Sequence, residues 1–299
     1  MSSDLIRSGS WMGRQFLIVT ADDFGLHESI NEAVEQACSA GILTAASLMV
    51  SAPAFVDAVE RARRLSNLRV GLHLVLAEGR AVLEPDIIPA LVDADGWFDA
   101  RLVRRAIRLF AIPSVRRQVE MEIRAQFQRF ADTGLPLDHV NMHKHLQLHP
   151  TLARMILRIG REFGVQAIRV PAEPLWFSGR AAEPLPASSA SILLGPWVAL
   201  LRRHIRAAGV VCNDHVFGIA CSGRMDEGTL LDILQRLPAG VTEIYLHPAT
   251  SSEHAASTPA GSYRHADELA ALVSPRVAEV CNALRVPRGG YSDLIRSGA

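Results

Sequence analysis

The sequence lacks the features that would direct it to a charged polymer, into a bilayer or into a disulfide-stapled fold. Lys plus Arg and Asp plus Glu number 31 each among 299 residues, so no net charge draws the chain to nucleic acid or an anionic surface. There are only four cysteines, Cys38, Cys212, Cys221 and Cys281, and no two form a CxxC pair, which favours reduced thiols and a cytoplasmic setting. The longest apolar tract, residues 42–56, is interrupted by Thr44, Ser47, Ser51 and Pro53 and is shorter than the roughly 20 residues a spanning helix needs. Only a strand-length apolar run precedes Asp22, not the longer core of a secretion signal. Function must therefore come from local chemistry.

Apolar residues make up 49% of the chain, enough for a large core. From Phe16 onward, strand-like runs alternate with helical patterns: "FLIVT" (16–20), "AASLMV" (45–50), "RVGLHLVL" (69–76), "DHVNMH" (138–143), "QAIRV" (166–170) and "EIYLH" (243–247) are predicted strands. Between them, helical patterns end at Gly41 and Gly134, as helices commonly do. This alternation predicts a single α/β domain of parallel strands joined by helical crossovers. The Pro-, Ser- and Gly-rich stretch 171–196 is read as an elaborated loop. "SILLGPWVALLRRHIR" (191–206) is read as a core helix, with an amphipathic surface element as the alternative. The heptapeptide "SDLIRSG" occurs at both 3–9 and 292–298. Residues 1–11 are set apart as tag-like, with Met12 a credible start; residues 12–286 are assigned to the domain and 287–299 to a C-terminal tail.

Ionisable residues recur where the predicted strands end: Asp22 and Asp23 after the first, His73 in the third, His143 at the fourth and His247 at the last. In parallel α/β folds that edge is where side chains from separate strands converge on a site. Adjacent carboxylates repel each other and lose solvation unless a cation, proton or donor compensates. Capping of the following helix would explain one acid but not two. Taken alone, His73 and His247 suit structural histidines, and His27 suits a solvated helix start. In "NMHKHLQLHP", however, His143, His145, Gln147 and His149 would share one face of an extended chain. An Asp with two His suits zinc or another borderline divalent ion and leaves positions open for water or substrate.

"TADDFG", "GLHL", "HVNMHKHLQLHP" and "YLHP", in this order, resemble the YdjC-like carbohydrate (chitooligosaccharide) deacetylases over residues 16–284. The resemblance implies a distorted (β/α) barrel related to polysaccharide deacetylases and one divalent metal ion, zinc or magnesium, with nickel, cobalt or manganese as alternatives. By position, Asp23, His73 and His143 match the family's metal ligands, Asp22 the acid proposed as general base and His247 the histidine proposed as general acid. Lys144, His145, His215 and Trp176 are candidate substrate contacts. Many members carry an acid and two histidines where this chain has Asn141, Lys144 and Gln147. "HKH", "LHP" and "NDHVFGIACSG" resemble a subgroup associated with hopanoid biosynthesis, implying an N-acetylglucosaminyl bacteriohopanetetrol as substrate.

A lipid-linked substrate would bring peripheral membrane contact through Trp176, Phe177 and Trp197 with Arg202, Arg203 and Arg206. Nucleic acid is not an expected partner; a homodimer is compatible with the sequence. Competing readings are a deacetylase of soluble chitooligosaccharides, a metal-dependent sugar isomerase or phosphoesterase, and a non-catalytic hopanoid carrier.

Overall fold

The computed structural model describes residues 15–98, 112–178, 187–251 and 263–297, with the side chains of 178 and 187–194 excepted. Six strands, β1 (Gln15–Phe24), β2 (Ala45–Leu48), β3 (Arg69–Leu74), β4 (Val140–Met142), β5 (His215–Phe217) and β6 (Gly240–Leu246), form one parallel sheet ordered β4-β3-β2-β1-β6-β5. β1 lies in the middle, in register with β6 from Gln15↔Gly240 to Ala21↔Leu246. Nine of its ten residues are buried, as expected of a parallel strand covered on both faces. Connecting helices α1 (Glu28–Ala40), α2 (Phe55–Arg64), α3 (Pro113–Ala131) and α4 (Pro150–Glu162) carry apolar stripes that bury against the sheet.

The expected strand at 166–170 is present only as isolated bridges, because its backbone bonds are shared between two neighbours. Val140 N–H donates to Ala167 O and Arg169 N–H to Val140 O, while Ile168 N–H donates to Val211 O. The segment thus lies between the two edge strands and curls the sheet toward a distorted barrel. β5 went unanticipated: three residues following Asn213 and Asp214 are too few to show a period.

Two expectations are corrected. Residues 143–149 are not extended: His143–Leu148 is a 3-10 segment in which Lys144 and His145 take left-handed backbone, φ 57° and 53°. Gln147 is buried, and His149 caps α4 by accepting from Thr151 N–H at 3.3 Å, so the four polar residues share no face. The supposed tail is part of the folded body over residues 287–297. Leu17 N–H donates to Pro287 O and Gly289 N–H to Leu17 O; the helix Tyr291–Ser297 then packs Tyr291 and Leu294 against Phe16, Ile18 and Val241. The C-terminal "SDLIRSG" is therefore a docked helix over 292–297, while its N-terminal copy lies outside the described residues.

Asp138 anchors that helix. Its carboxylate accepts from Tyr291 N–H (3.1 Å), Ser292 N–H (2.8 Å) and His139 Nδ1 (2.9 Å). Burial pushes its pKa up, but His139 and the Ser292 N–H more than offset this and hold it at about 2, below the ordinary 3.8. A depressed carboxylate stabilises the fold above its unfolded pKa and loses that contribution as pH falls through the folded value. Asp138→Asn should therefore cost about 2 kcal/mol above pH ~5, with the deficit vanishing as pH falls from ~4 toward ~2. Urea melts of both proteins across this range measure the effect; a deficit independent of pH would refute it.

The longer helix Ala187–Ala207 precedes β5, and Val198, Leu201 and Ile205 bury one face of it, in line with the core reading. Among the described residues no helix is long and apolar enough to cross a membrane.

Candidate metal and catalytic site

β1 does not end before the acid pair; it carries it. Ala21 pairs with Ala46 and Phe24 with Leu48, so β1 spends one residue more than β2 between these points, a β-bulge holding Asp22 and Asp23. Asp23 sits at φ 61°. Adjacent side chains on a regular strand point to opposite faces; the bulge turns both carboxylates into one cavity. The following helix is capped instead by His27, whose Nδ1 accepts from Ser29 N–H at 3.1 Å. Capping therefore explains neither acid.

Asp23 Oδ1, His73 Nε2 and His143 Nδ1 form a triangle with all three edges 3.4 Å. Asp23 Oδ1 is buried and has no hydrogen-bond partner, an orphaned acceptor in a chain that satisfies most others. Ligand bonds of about 2.0–2.2 Å from one ion place neighbouring donor atoms roughly 3–3.5 Å apart. The three residues thus fit a divalent ion in both donor chemistry and spacing. Burial alone would raise the Asp23 pKa, yet the adjoining His143, with the charges of His247 and His73, holds it well below the usual range. Burial lowers that of His73, only partly opposed by Asp22 and Asp23. An ionised carboxylate beside a neutral imidazole is the state that ligation requires.

Asp22 has a different environment. Arg169 Nη1 reaches its Oδ2 at 2.6 Å, and Arg169 Nη2 and Asn141 Nδ2 reach its Oδ1 at 3.0 Å each. Against the upward pull of burial, the Arg169 charge keeps Asp22 ionised, well below the usual carboxylate range. Asn141 also fixes its neighbour. Its Nδ2 donates to Asp22 and Ser47, so its Oδ1 must accept from His73 Nδ1 at 2.8 Å, leaving the His73 Nε2 lone pair facing Asp23. An acid at 141 would add charge beside Asp22; the amide supplies both a donor and an acceptor.

A cavity of about 160 Å³ gathers Asp22, Asp23, His73, His143, Lys144, His145 and His247. His247 directly follows β6; its backbone N–H is held by Glu268, its carbonyl accepts from His265 Nδ1, and its own Nδ1 is buried without a partner. His145 Nε2 meets the Tyr245 hydroxyl at 3.0 Å; burial, aided by the Arg169 charge, lowers its pKa to about 3, so it is neutral at neutral pH. Lys144 pairs with Glu78 at 3.0 Å, joining the loops after β3 and β4. Two candidates lie elsewhere. His215 starts β5 in register with Thr242, at the strand end away from the acids, and contacts Ala239 O at 3.2 Å. Trp176 packs on Phe177 and Phe217 under Arg236 and does not line the cavity.

Arg169, Asn141, Tyr245, Glu268, Glu78 and Tyr263 were not singled out as site residues. Two of them carried a signal: Arg169, a charge inside the apolar run "QAIRV", and Asn141, which stands where many family members carry an acid.

The YdjC-like protein family model matches residues 16–283. This chain belongs to the YdjC-like family. It is similar to the carbohydrate deacetylase of Geobacillus stearothermophilus (27% identity, covering 89% of this chain and 93% of that protein) and of Mus musculus (31%, covering 79% and 78%). The carbohydrate deacetylase of Brevibacillus brevis is 36% identical over 54% of this chain, an alignment that spans 60% of that relative's length. A solved structure, a candidate cellobiose-phosphate cleavage protein of Enterococcus faecalis, superposes with a TM-score of 0.70 at 21% identity, covering 94% of this chain and 99% of that one. This likeness establishes the fold. The bulge, the triangle and Asn141 all fall within the span matched to the YdjC-like family.

Proposed function

We propose that the protein is a metal-dependent N-deacetylase of an N-acetylated amino sugar. The observation that carries this reading is the unequal treatment of two adjacent acids. Asp22 is held by three hydrogen bonds from Arg169 and Asn141, whereas Asp23 offers an unpartnered oxygen to two histidines. Asp23, His73 and His143 would hold the ion, and two imidazoles with one carboxylate favour zinc or a similar borderline cation over magnesium. The chemistry supplied there by a bound divalent ion is polarisation of the amide carbonyl and acidification of water. Asp22, ionised and fixed in direction, takes the proton of the attacking water. His247 delivers a proton to the departing nitrogen, so that acetamide and water become acetate and a free amine. Neutral His145 and the Lys144–Glu78 pair border the space left for the sugar.

The test is acetate release from N,N′-diacetylchitobiose by metal-loaded and chelator-treated protein. Release that is lost on chelation and restored by zinc supports the reading. Sugar isomerisation or phosphate release without acetate would replace it.

The finer reading is an N-acetylglucosaminyl hopanoid as substrate, supported by the resemblance of "HKH", "LHP" and "NDHVFGIACSG" to that subgroup. The apolar surface for it is smaller than expected. Phe177 is buried, Trp197 Nε1 donates to Leu148 O, and Arg202 and Arg206 both face Asp214. Leu175 (57% exposed), Trp176 (40%) and Leu200 (54%) remain at the surface. Trp176→Glu should lower turnover of the hopanoid about tenfold, the 1–2 kcal/mol of one partly buried aromatic, while sparing diacetylchitobiose. Parallel loss of both activities with a lower melting temperature would return Trp176 to a packing role; hopanoid binding without acetate release would favour a carrier.

A further inference from the structure

We propose that the C-terminal segment Gly290–Asp293, with Tyr291 as its central positioning residue, holds the catalytic carboxylate Asp22 in place through two separate buried hydrogen-bond chains. The inference rests on the reading of Asp22 as the general base.

The first chain starts at the Tyr291 hydroxyl, which donates to Glu243 Oε2 at 2.7 Å. Glu243 Oε1 accepts from Thr20 Oγ1 and from Arg169 Nη2, each at 2.7 Å. Arg169 then forks onto both oxygens of Asp22. Tyr291, Glu243 and Arg169 are all 0% exposed, so no water can replace a missing link cheaply.

The second chain starts from the Tyr291 and Ser292 backbone N–H groups on Asp138. Asp138 accepts from His139 Nδ1, which leaves His139 Nε2 to accept from Ser47 Oγ at 3.0 Å. Ser47 Oγ in turn accepts from Asn141 Nδ2, whose other N–H goes to Asp22 Oδ1. Every donor along this path has one acceptor, which fixes its direction. Ser47, His139 and Asp138 have the atom order of a hydrolytic triad, but Ser47 and His139 are 0% exposed and none of the three lines the cavity. Their proton positions serve Asn141 instead. Gly71 makes room for this arrangement: a Cβ there would lie 2.5 Å from the His139 ring. Docking of the segment is equally close. A Cβ on Gly290 would lie 2.5 Å from Arg69 Cβ, and Asp293 forks onto Arg69 at 2.9 and 3.1 Å.

Tyr291→Phe keeps the ring and removes the first chain; Asp138→Asn weakens the second. Each should lower kcat on diacetylchitobiose roughly tenfold, the scale expected when a reacting group is slightly misplaced, with KM within about twofold and bound metal per chain unchanged. Crystals of Tyr291→Phe should show the Asp22 carboxylate turned or disordered against Arg169. A purely structural role predicts a lower melting temperature, unchanged kcat well below it and an undisturbed Asp22, and that outcome overturns the proposal. Should one variant fail to fold, the other decides, because each chain reaches Asp22 independently. A wild-type protein that releases no acetate would refute the deacetylase reading, and the order of Asp22 in the variant crystal would still decide this one.

Discussion

Asp22→Asn is expected to keep its metal and lose turnover. Asparagine accepts hydrogen bonds but takes no proton at neutral pH, so kcat should fall by roughly 10²–10⁴, the range a general base contributes. The metal should stay because Asp22 contributes no edge to the donor triangle of Asp23, His73 and His143. Asp23→Ala, His73→Ala and His143→Ala should each lose metal together with activity, since each removes a donor from a site of three. Metal content per chain and kcat, measured on all four variants, separate the two roles. If Asp22→Asn were depleted of metal as severely as Asp23→Ala, the division of labour between the two acids would be wrong.

The second large effect is expected at Arg169. Its guanidinium is 0% exposed, contacts Asp22 and Glu243, and lies 4.8 Å from the centre of the Tyr245 ring. Replacement by methionine keeps much of the volume and leaves two buried carboxylates without their cation. Removing one partner of a buried ion pair costs about 3–5 kcal/mol, or on the order of 10 °C in melting temperature for a chain of this length. Adding Glu243→Gln should recover part of the loss by withdrawing one of the stranded charges. Thermal melts of the single and double variants check this. A single variant melting within about 2 °C of wild type would mean that the two acids are not held by Arg169.

The parallel α/β fold was legible because β1, β3 and β6 are long enough to show continuous apolar runs. The elements missed or misread have a common property. β5 has three residues, the 166–170 segment divides its bonds between two neighbours, and the 3-10 segment after His143 depends on left-handed backbone at Lys144 and His145. Neither β5 nor the 3-10 segment leaves a period in the sequence, and 166–170 reads as an ordinary strand because nothing local shows that its bonds are divided. At the site, the acids and histidines stood out because burying a charge or imidazole next to apolar residues calls for a reason. Arg169 and Asn141 stood out less, since each draws its meaning from Asp22, more than a hundred residues away in the chain.

By itself, then, the sequence determined which residue types end which strands, and so the donor chemistry available at one sheet edge. Periodicity and composition are local properties, readable within a window of a dozen residues. Only the tertiary structure decided that a bulge turns Asp22 and Asp23 into the same cavity, that Arg169 takes one acid and leaves the other open, and that Tyr291 belongs to the support of the site. Those outcomes depend on contacts between segments as distant as Asp138 and Tyr291, where one hydrogen bond fixes the next and no single stretch of chain contains the information.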